Sequence, residues 1–412
     1  MIEEFGGKQR YIVTFKRKDR RADTETDKAG ILQQSVGPRL NFVDVGACAA
    51  GFAPPDDPEG LIALDINDFE NPMVSAALSD GEAGVLSKDP NVQAVEPDGK
   101  VYALDISPYE MLPGGDVLGG LGEPSAVAEG PSAKADVVPW GISRVKAPMC
   151  WEATKAKGIH VAVLDTGIWP HNDLKGNLLG GVSFVPGESW ADGNGHGTHV
   201  AGTIAAAANG FGVVGVAPSA YLYAVKVLSN GGSGYWSWLM SGLYWMKKYY
   251  GCTFDVANMS LGASSAPSTL KGYIDYAAQN TLLVAAAGNS GGAVGYPAKY
   301  DKCLAVGAIK SNNSIASFSC HGPEVELCAP GVDILSTLPG NRYGTLSGTS
   351  MAAPHVSGAA ALCRGTHRGL DMDHIKNILI STADDLGNPG KDDYYGYGRV
   401  DCNGATFWRT CG

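Results

Sequence analysis

The chain has 412 residues, 44% hydrophobic and 18% charged, enough for one large domain and a smaller one. A net charge of −11 with few basic clusters argues against a nucleic-acid partner. No run of about eighteen apolar residues is present to span a membrane.

Residues 10 to 104 combine strand-like runs ("RYIVTFK", "GLIALDI", "KVYAL") with a helix-like stretch at "NPMVSAALSDGEAGVLSKDP", which reads as a small α+β unit. No secretory leader is visible in "MIEEFGGKQR", so either one has been trimmed or the chain is intracellular. Residues 105 to 137 are rich in Gly, Pro, Ser and Ala and read as an exposed, protease-accessible linker.

From residue 138 the pattern changes to short apolar runs without alternation: "HVAVLD", "AYLYAVKVL", "DVANMSL", "LLVAAAG" and "CLAVGAI". Helical stretches such as "GTHVAGTIAAAA" and "YWSWLMSGLYWMKKYY" separate them. Buried strands alternating with helices predict an α/β fold, a parallel sheet with helices on both faces, whose site lies at the carboxyl ends of the strands.

Nine cysteines contain no C-x-x-C pair, which argues against zinc. Eight of them follow residue 149, an even number that allows up to four disulfides and a secreted location. The alternative is a set of buried free thiols acting as small core residues.

Four residues carry chemistry at those strand ends. Asp165 closes the run "VAVLDTGI"; His196 opens a helix in "DGNGHGTHVAGTIAAA"; Asn289 follows the strand of "VAAAGNSGG". Ser350 lies in "GTSMAAPHVSGAAAL", where Pro354 sets a helix start close by, because proline is tolerated near a helix N-terminus. Singly, these read as a turn aspartate, a structural histidine, a turn asparagine and a helix cap. Together they suit Ser–His–Asp catalysis with an amide oxyanion donor.

"VAVLDTGI", "GHGTHVAGT", "NMSLG", "AAAGN" and "GTSMAAPHVSG", in that order, resemble the subtilisin-like serine proteases of the bacterial subtilisin and proteinase K group. The resemblance implies that Ser350 is the nucleophile, His196 the base, Asp165 its partner and Asn289 the oxyanion donor. It gives His199 a structural role. It also implies a substrate lying as an extra strand between "GGSG" (Gly231 to Gly234, with Gly232 and Ser233) and "SLGA" (Ser260, Leu261, Gly262 and Ala263). A roomy pocket for a large hydrophobic residue before the cut would be walled by Ala287, Gly288 and Gly295. Trp236, Leu239 and Leu261 would line the pocket three residues upstream, with core packing the other reading of Trp236. A structural Ca²⁺ is implied at Asp136, Asp173 and Asn209 with the carbonyls of Phe211 and Val213.

By the same resemblance, residues 1–104 are an inhibitory, ferredoxin-like α+β propeptide, 105–137 a processed linker and 138–412 the protease. The expected protein is a secreted, monomeric endopeptidase made as a zymogen. It would cut itself after Leu104, with a cut inside the 105–137 linker the alternative, and act on protein and peptide substrates, without nucleic acid or membrane as a partner. A competing motif, G-x-S-x-G around Ser290, would suit an esterase, but "GGAVGYPAKY" lacks the helix that motif needs. A catalytically dead relative is the other alternative, and the four intact positions give it no support. Of the two Asn-x-Ser sequons, Asn312 matters only in a eukaryotic secretory host and Asn258 lies inside a substrate motif.

Overall fold

Residues of opposite character at alternate positions give a strand two usable faces. In the computed structural model, Gln9–Phe15 (β1) turns Tyr11, Val13 and Phe15 to one side and Ile12 to the other. The structure describes residues 7–16, 28, 31–32, 40–45, 54–57, 60–66, 72–105, 135–248 and 254–409. Most of the expected linker, the first six residues and Cys48, Cys252 and Cys411 lie outside them.

β1 sits in a five-stranded sheet with β2 (Asn41–Asp44), β3 (Ile62–Ile66), β4 (Met73–Leu78) and β5 (Val92–Pro97), in the order β2-β3-β4-β1-β5. The helix-like reading of residues 71–90 holds only for Asp80–Leu86. Met73–Leu78 is a strand, because all six side chains are buried and the backbone pairs with β1 and β3. The helix starts at a capping box, Ser79 with Glu82, and the strand ends just before it.

One face of this sheet covers Leu86 of that helix. The other sends Ile12, Leu64, Ile66 and Met73 into a core shared with the helix Trp236–Lys248. Each such side chain stabilises the contact by roughly 1.5–3 kcal/mol on full burial.

The chain then runs through β6 (Lys100–Ala103), β7 (His160–Asp165), β8 (Leu178–Ser183), β9 (Tyr221–Lys226), β10 (Ser233–Tyr235), β11 (Val256–Met259) and β12 (Leu261–Gly262). It continues through β13 (Leu282–Ala286), β14 (Cys303–Ile309), β15 (Val325–Pro330), β16 (Ile334–Leu338) and β17 (Arg342–Leu346). Seven of these form one parallel sheet, β15-β14-β13-β11-β7-β9-β8. Val161 and Val163 of β7 pack toward the helices His196–Ala205 and Thr349–Thr366; Ala162 and Leu164 pack toward Trp236–Lys248 and Leu270–Ala277. Helices therefore cover both faces, as the unalternating strands required. Among the described residues no helix is long and apolar enough to cross a membrane.

The disulfide expectation fails where it can be read. Cys150, Cys303, Cys320, Cys328, Cys363 and Cys402 are all buried free thiols. They fill core positions as small apolar residues, and burial raises the Cys363 thiol to about 12.

Candidate active site

Parallel strands deliver their last residues to one edge of the sheet, and four segments meet there. Asp165 ends β7, Ser260 follows β11, Asn289 lies three residues beyond β13, and Ser350 is the second residue of the helix Thr349–Thr366. His196 is the first residue of the helix His196–Ala205. Asp165, His196 and Ser350 are each buried.

His196 Nδ1 donates to Asp165 Oδ1 at 2.7 Å. That bond leaves Nε2 as the acceptor of the neutral imidazole, and Nε2 has no hydrogen-bond partner among the described residues. Burial alone would push the proton off. The charge and hydrogen bond of Asp165, with Asp105 and Asp192 nearby, outweigh it and raise the imidazole to about 9. Asp192 holds this corner in shape: its carboxylate accepts from Thr166 Oγ1, Gly195 N and Thr198 N, all at 2.9 Å.

His199, the second histidine of the motif, is held low, to about 3, chiefly by burial. Its Nε2–H points at Ile334 O at 2.8 Å, pinning the helix to β16. It is structural, and it stays neutral.

The decisive geometry involves the chain itself. β6 lies antiparallel between β10 and β12, pairing Tyr102 with Ser233 on one side and with Gly262 on the other. Ala103 N donates to Gly232 O at 3.0 Å and Leu104 N to Ser260 O at 3.3 Å. The Leu104 carbonyl then receives Asn289 Nδ2 at 2.7 Å and Ser350 N at 3.3 Å. Two N–H donors on one carbonyl oxygen stabilise the charge that nucleophilic attack would place there.

Asn289 is aimed by Thr349, whose N–H and hydroxyl both donate to Asn289 Oδ1, at 2.9 and 2.8 Å. Gly348, at φ +158, must lack a side chain: a methyl there would sit 2.5 Å from Leu104 O. Ser350 Oγ donates to Ser260 O at 2.9 Å, not to His196.

The expected pocket residues gather along the same segment. Val101 is fully buried in one apolar cluster with Trp236, Leu239 and Leu261, whereas Tyr102 is 50% exposed. Trp236 N donates to Gly99 O at 3.1 Å, and a methyl on Gly99 would sit 3.4 Å from Trp236 Cδ1, so this side chain meets the inserted segment as well as the core. A methyl on Gly262 would lie 3.1 Å from Leu104 Cδ1. Ala287 O accepts from Gly295 N at 3.0 Å, and Gly288 N donates to Thr349 Oγ1 at 3.2 Å, placing these three residues beside Asn289.

Ser290 does not resemble an elbow nucleophile. Turns follow it, and its Oγ faces Cys320 Sγ at 3.1 Å. The Asn258 sequon is fully buried, which rules it out as a glycan site, and Asn312 is exposed. Thr349, Asp105 and Asp192 were not singled out from sequence; their side chains matter only through what they face.

The calcium candidates converge on one loop. Asp136 Oδ1 accepts from Asn209 N at 3.2 Å and Gly210 N at 2.8 Å. Asp173 accepts from Asn209 Nδ2 at 3.2 Å, Val213 N at 3.0 Å and Tyr343 OH at 2.8 Å. Phe211 N donates to Asn209 Oδ1 at 3.3 Å. Among the described residues no group of three or more His, Cys, Asp or Glu side chains could hold a metal. Any cation here would draw on two carboxylates, an amide oxygen and loop carbonyls, an all-oxygen set that fits Ca²⁺ and not zinc.

The family model described as "Subtilase family" matches residues 156–398. The chain belongs to the subtilase family. It is 44% identical over 346 residues to M-protease of Shouchella clausii (strain KSM-K16), covering 83% of this chain and 81% of that protein. Subtilisin Savinase of Lederbergia lenta is 51% identical over 276 residues, 66% of this chain and all of that one. Subtilisin E of Bacillus subtilis (strain 168) is 49% identical over 281 residues, 66% of this chain and 72% of that protein. The M-protease match is longer than the stretch from residue 138 to the C-terminus, so it reaches into the N-terminal unit of this subtilase. The subtilase is a serine endopeptidase.

Proposed function

We propose that this chain is the zymogen of a secreted, monomeric subtilase that cuts its own Leu104–Asp105 bond. The observation that carries this reading is the Leu104 carbonyl, held by Asn289 Nδ2 and Ser350 N at the end of a strand paired on both sides. In the reaction, Ser350 Oγ rotates from Ser260 O to His196 Nε2 and attacks the Leu104 carbonyl carbon. His196 accepts the hydroxyl proton, Asp165 stabilises the resulting imidazolium, and Asn289 and the Ser350 N–H bind the oxyanion. Collapse transfers the proton to the Asp105 amine and leaves Leu104 as an ester on Ser350; water then releases it by the reverse sequence.

The N-terminal unit, residues 1–104, acts as a tethered inhibitor, with 105–137 the processed linker and 138–412 the enzyme. Two carboxylates at the end of β5 support this. Glu96 accepts from Ser268 N at 2.8 Å and Thr269 Oγ1 at 2.6 Å; Asp98 accepts from Ser237 N at 2.9 Å. Each sits at the start of an enzyme helix, where unpaired amides and the positive dipole end favour an anion. Burial opposes ionisation of Glu96, but the Thr269 and Ser268 bonds prevail and lower its pKa.

Foreign substrates are polypeptides that add a strand between β10 and β12, as β6 does. The space beside Gly262, taken by Leu104, suits a large hydrophobic residue before the cut. Asp136, Asp173 and Asn209, with the carbonyls of Phe211 and Val213, would hold a Ca²⁺ that neutralises the two carboxylates and stiffens the loop. Secretion is supported by the family likeness. The test compares the wild-type chain with Ser350→Ala. Wild type shortens from 42.8 kDa and gains peptidase activity, whereas the variant stays whole and inactive. Processing by the variant would defeat the reading.

A further inference from the structure

Pro354 stands inside the helix Thr349–Thr366, past its first turn. A proline there has no N–H, so it cannot bond the carbonyl four residues back, which belongs to Ser350. That carbonyl is buried, and a buried acceptor left unmatched is costly. The hydroxyl of Ser260 takes the missing donor's place, donating to Ser350 O at 2.9 Å.

Ser260 Oγ is itself aimed. It accepts from Asn258 Nδ2 at 2.9 Å, and Asn258 Oδ1 accepts from Ser357 Oγ at 2.8 Å. Asn258, Ser260, Ser350 and Ser357 are all fully buried. The three bonds therefore run in one direction, from Ser357 through Asn258 and Ser260 back to Ser350. Ser357 sets the polarity. Without its proton, Asn258 can turn its oxygen toward Ser260, accept the Ser260 hydroxyl's hydrogen bond, and so withdraw that donor from the Ser350 carbonyl.

We propose that Asn258, Ser260 and Ser357 form a positioning relay that holds the nucleophile's backbone where Pro354 has removed the helix's own bond. The relay works through the Ser260 hydroxyl, while substrate binds the Ser260 carbonyl; it should move the chemical step and spare binding. This proposal rests on Ser350 being the nucleophile.

The test uses enzyme matured from the full chain. Readouts are the labelling rate by a serine-directed fluorophosphonate, and kcat and KM on a peptide with leucine before the cut. Ser260→Ala is expected to slow labelling and lower kcat about five- to tenfold, the scale of one hydrogen bond, with KM within about twofold. Ser357→Ala should cost about threefold to fivefold, and Ser357→Thr should restore the rate. In a Pro354→Ala background, where residue 354 again offers an N–H, Ser260→Ala should cost less than about twofold.

An equal loss from Ser260→Ala with and without Pro354 would overturn the relay, as would a loss confined to KM. If Ser260→Ala fails to mature, the pair Ser357→Ala and Ser357→Thr decides: no loss, or no rescue, overturns it. Wild type that resists labelling altogether would instead overturn Ser350 as the nucleophile, and the relay with it.

Discussion

Self-cleavage should depend on pH in a way the geometry around His196 specifies. The imidazole must be neutral to accept the Ser350 proton, yet Asp165 and Asp105 hold its proton on, up to about 9, against burial. A base titrating there is about 1% neutral at pH 7 and about half neutral at pH 9, so cleavage should quicken about fiftyfold between them. In the proposed cut Asp105 becomes the free end of the linker and can move away from His196. Asp105→Asn removes one of the charges that retain the proton, and its profile should move down by about half to one pH unit, speeding cleavage at pH 7 about three- to tenfold.

The assay refolds denatured full-length chain by dilution, at low concentration, into buffers from pH 6 to 10 and follows its disappearance on gels. First-order loss, independent of concentration, identifies cleavage within one molecule. A rate flat from pH 6 to 9.5, or an Asp105→Asn profile superimposed on wild type, would refute the assignment of His196 as a base held charged by its neighbours.

Further outcomes are expected. In the Ser350→Ala chain, His196 is raised in the folded state, so its contribution to stability is full below about pH 6.5 and fades as pH rises through about 9; thermal melts across that window should show the decline, and a contribution that grows with pH would contradict it. Asn289→Ala should slow cleavage about a hundred- to thousandfold, the range known for this same donor in subtilisin, a relative of this chain. Gly348→Ala should cost about a hundredfold, since its methyl would displace the Leu104 carbonyl; both variants are read in the gel assay. Glu96→Ala should loosen the N-terminal unit by about 1–2 kcal/mol, allowing for solvent screening, measured as a lower unfolding midpoint in the Ser350→Ala background. Added Ca²⁺ should raise the melting temperature of the matured enzyme, and Asp173→Ala should abolish the rise.

The candidate site was legible because its residues sit in short motifs: Asp165 and Asn289 follow runs that read as strands, and His196 and Ser350 open stretches that read as helices. The parallel sheet was legible for a similar reason, since strands buried on both faces show no alternation. Met73–Leu78 was misread because its all-buried pattern carries no period of two, and the serine and glutamate of its downstream cap were the missed signal. β8 contains Gly180 and Gly181 and carries a register shift, which blurs any strand pattern.

Partners that act by facing another group were not legible at all. Thr349 matters because Asn289 lies opposite it, and Ser357 because Asn258 does. The even cysteine count suggested bridges, while the fold spreads six of those thiols through the core.

If Ser350 cuts the bond its own chain lays across the site, the cut leaves a product of defined length. The most direct measurement is the mass of the N-terminal fragment released by the wild-type chain, beside an identically treated Ser350→Ala chain. The fragment should end at Leu104 and be missing from the variant. A fragment ending elsewhere, or the same fragment from the variant, would contradict it.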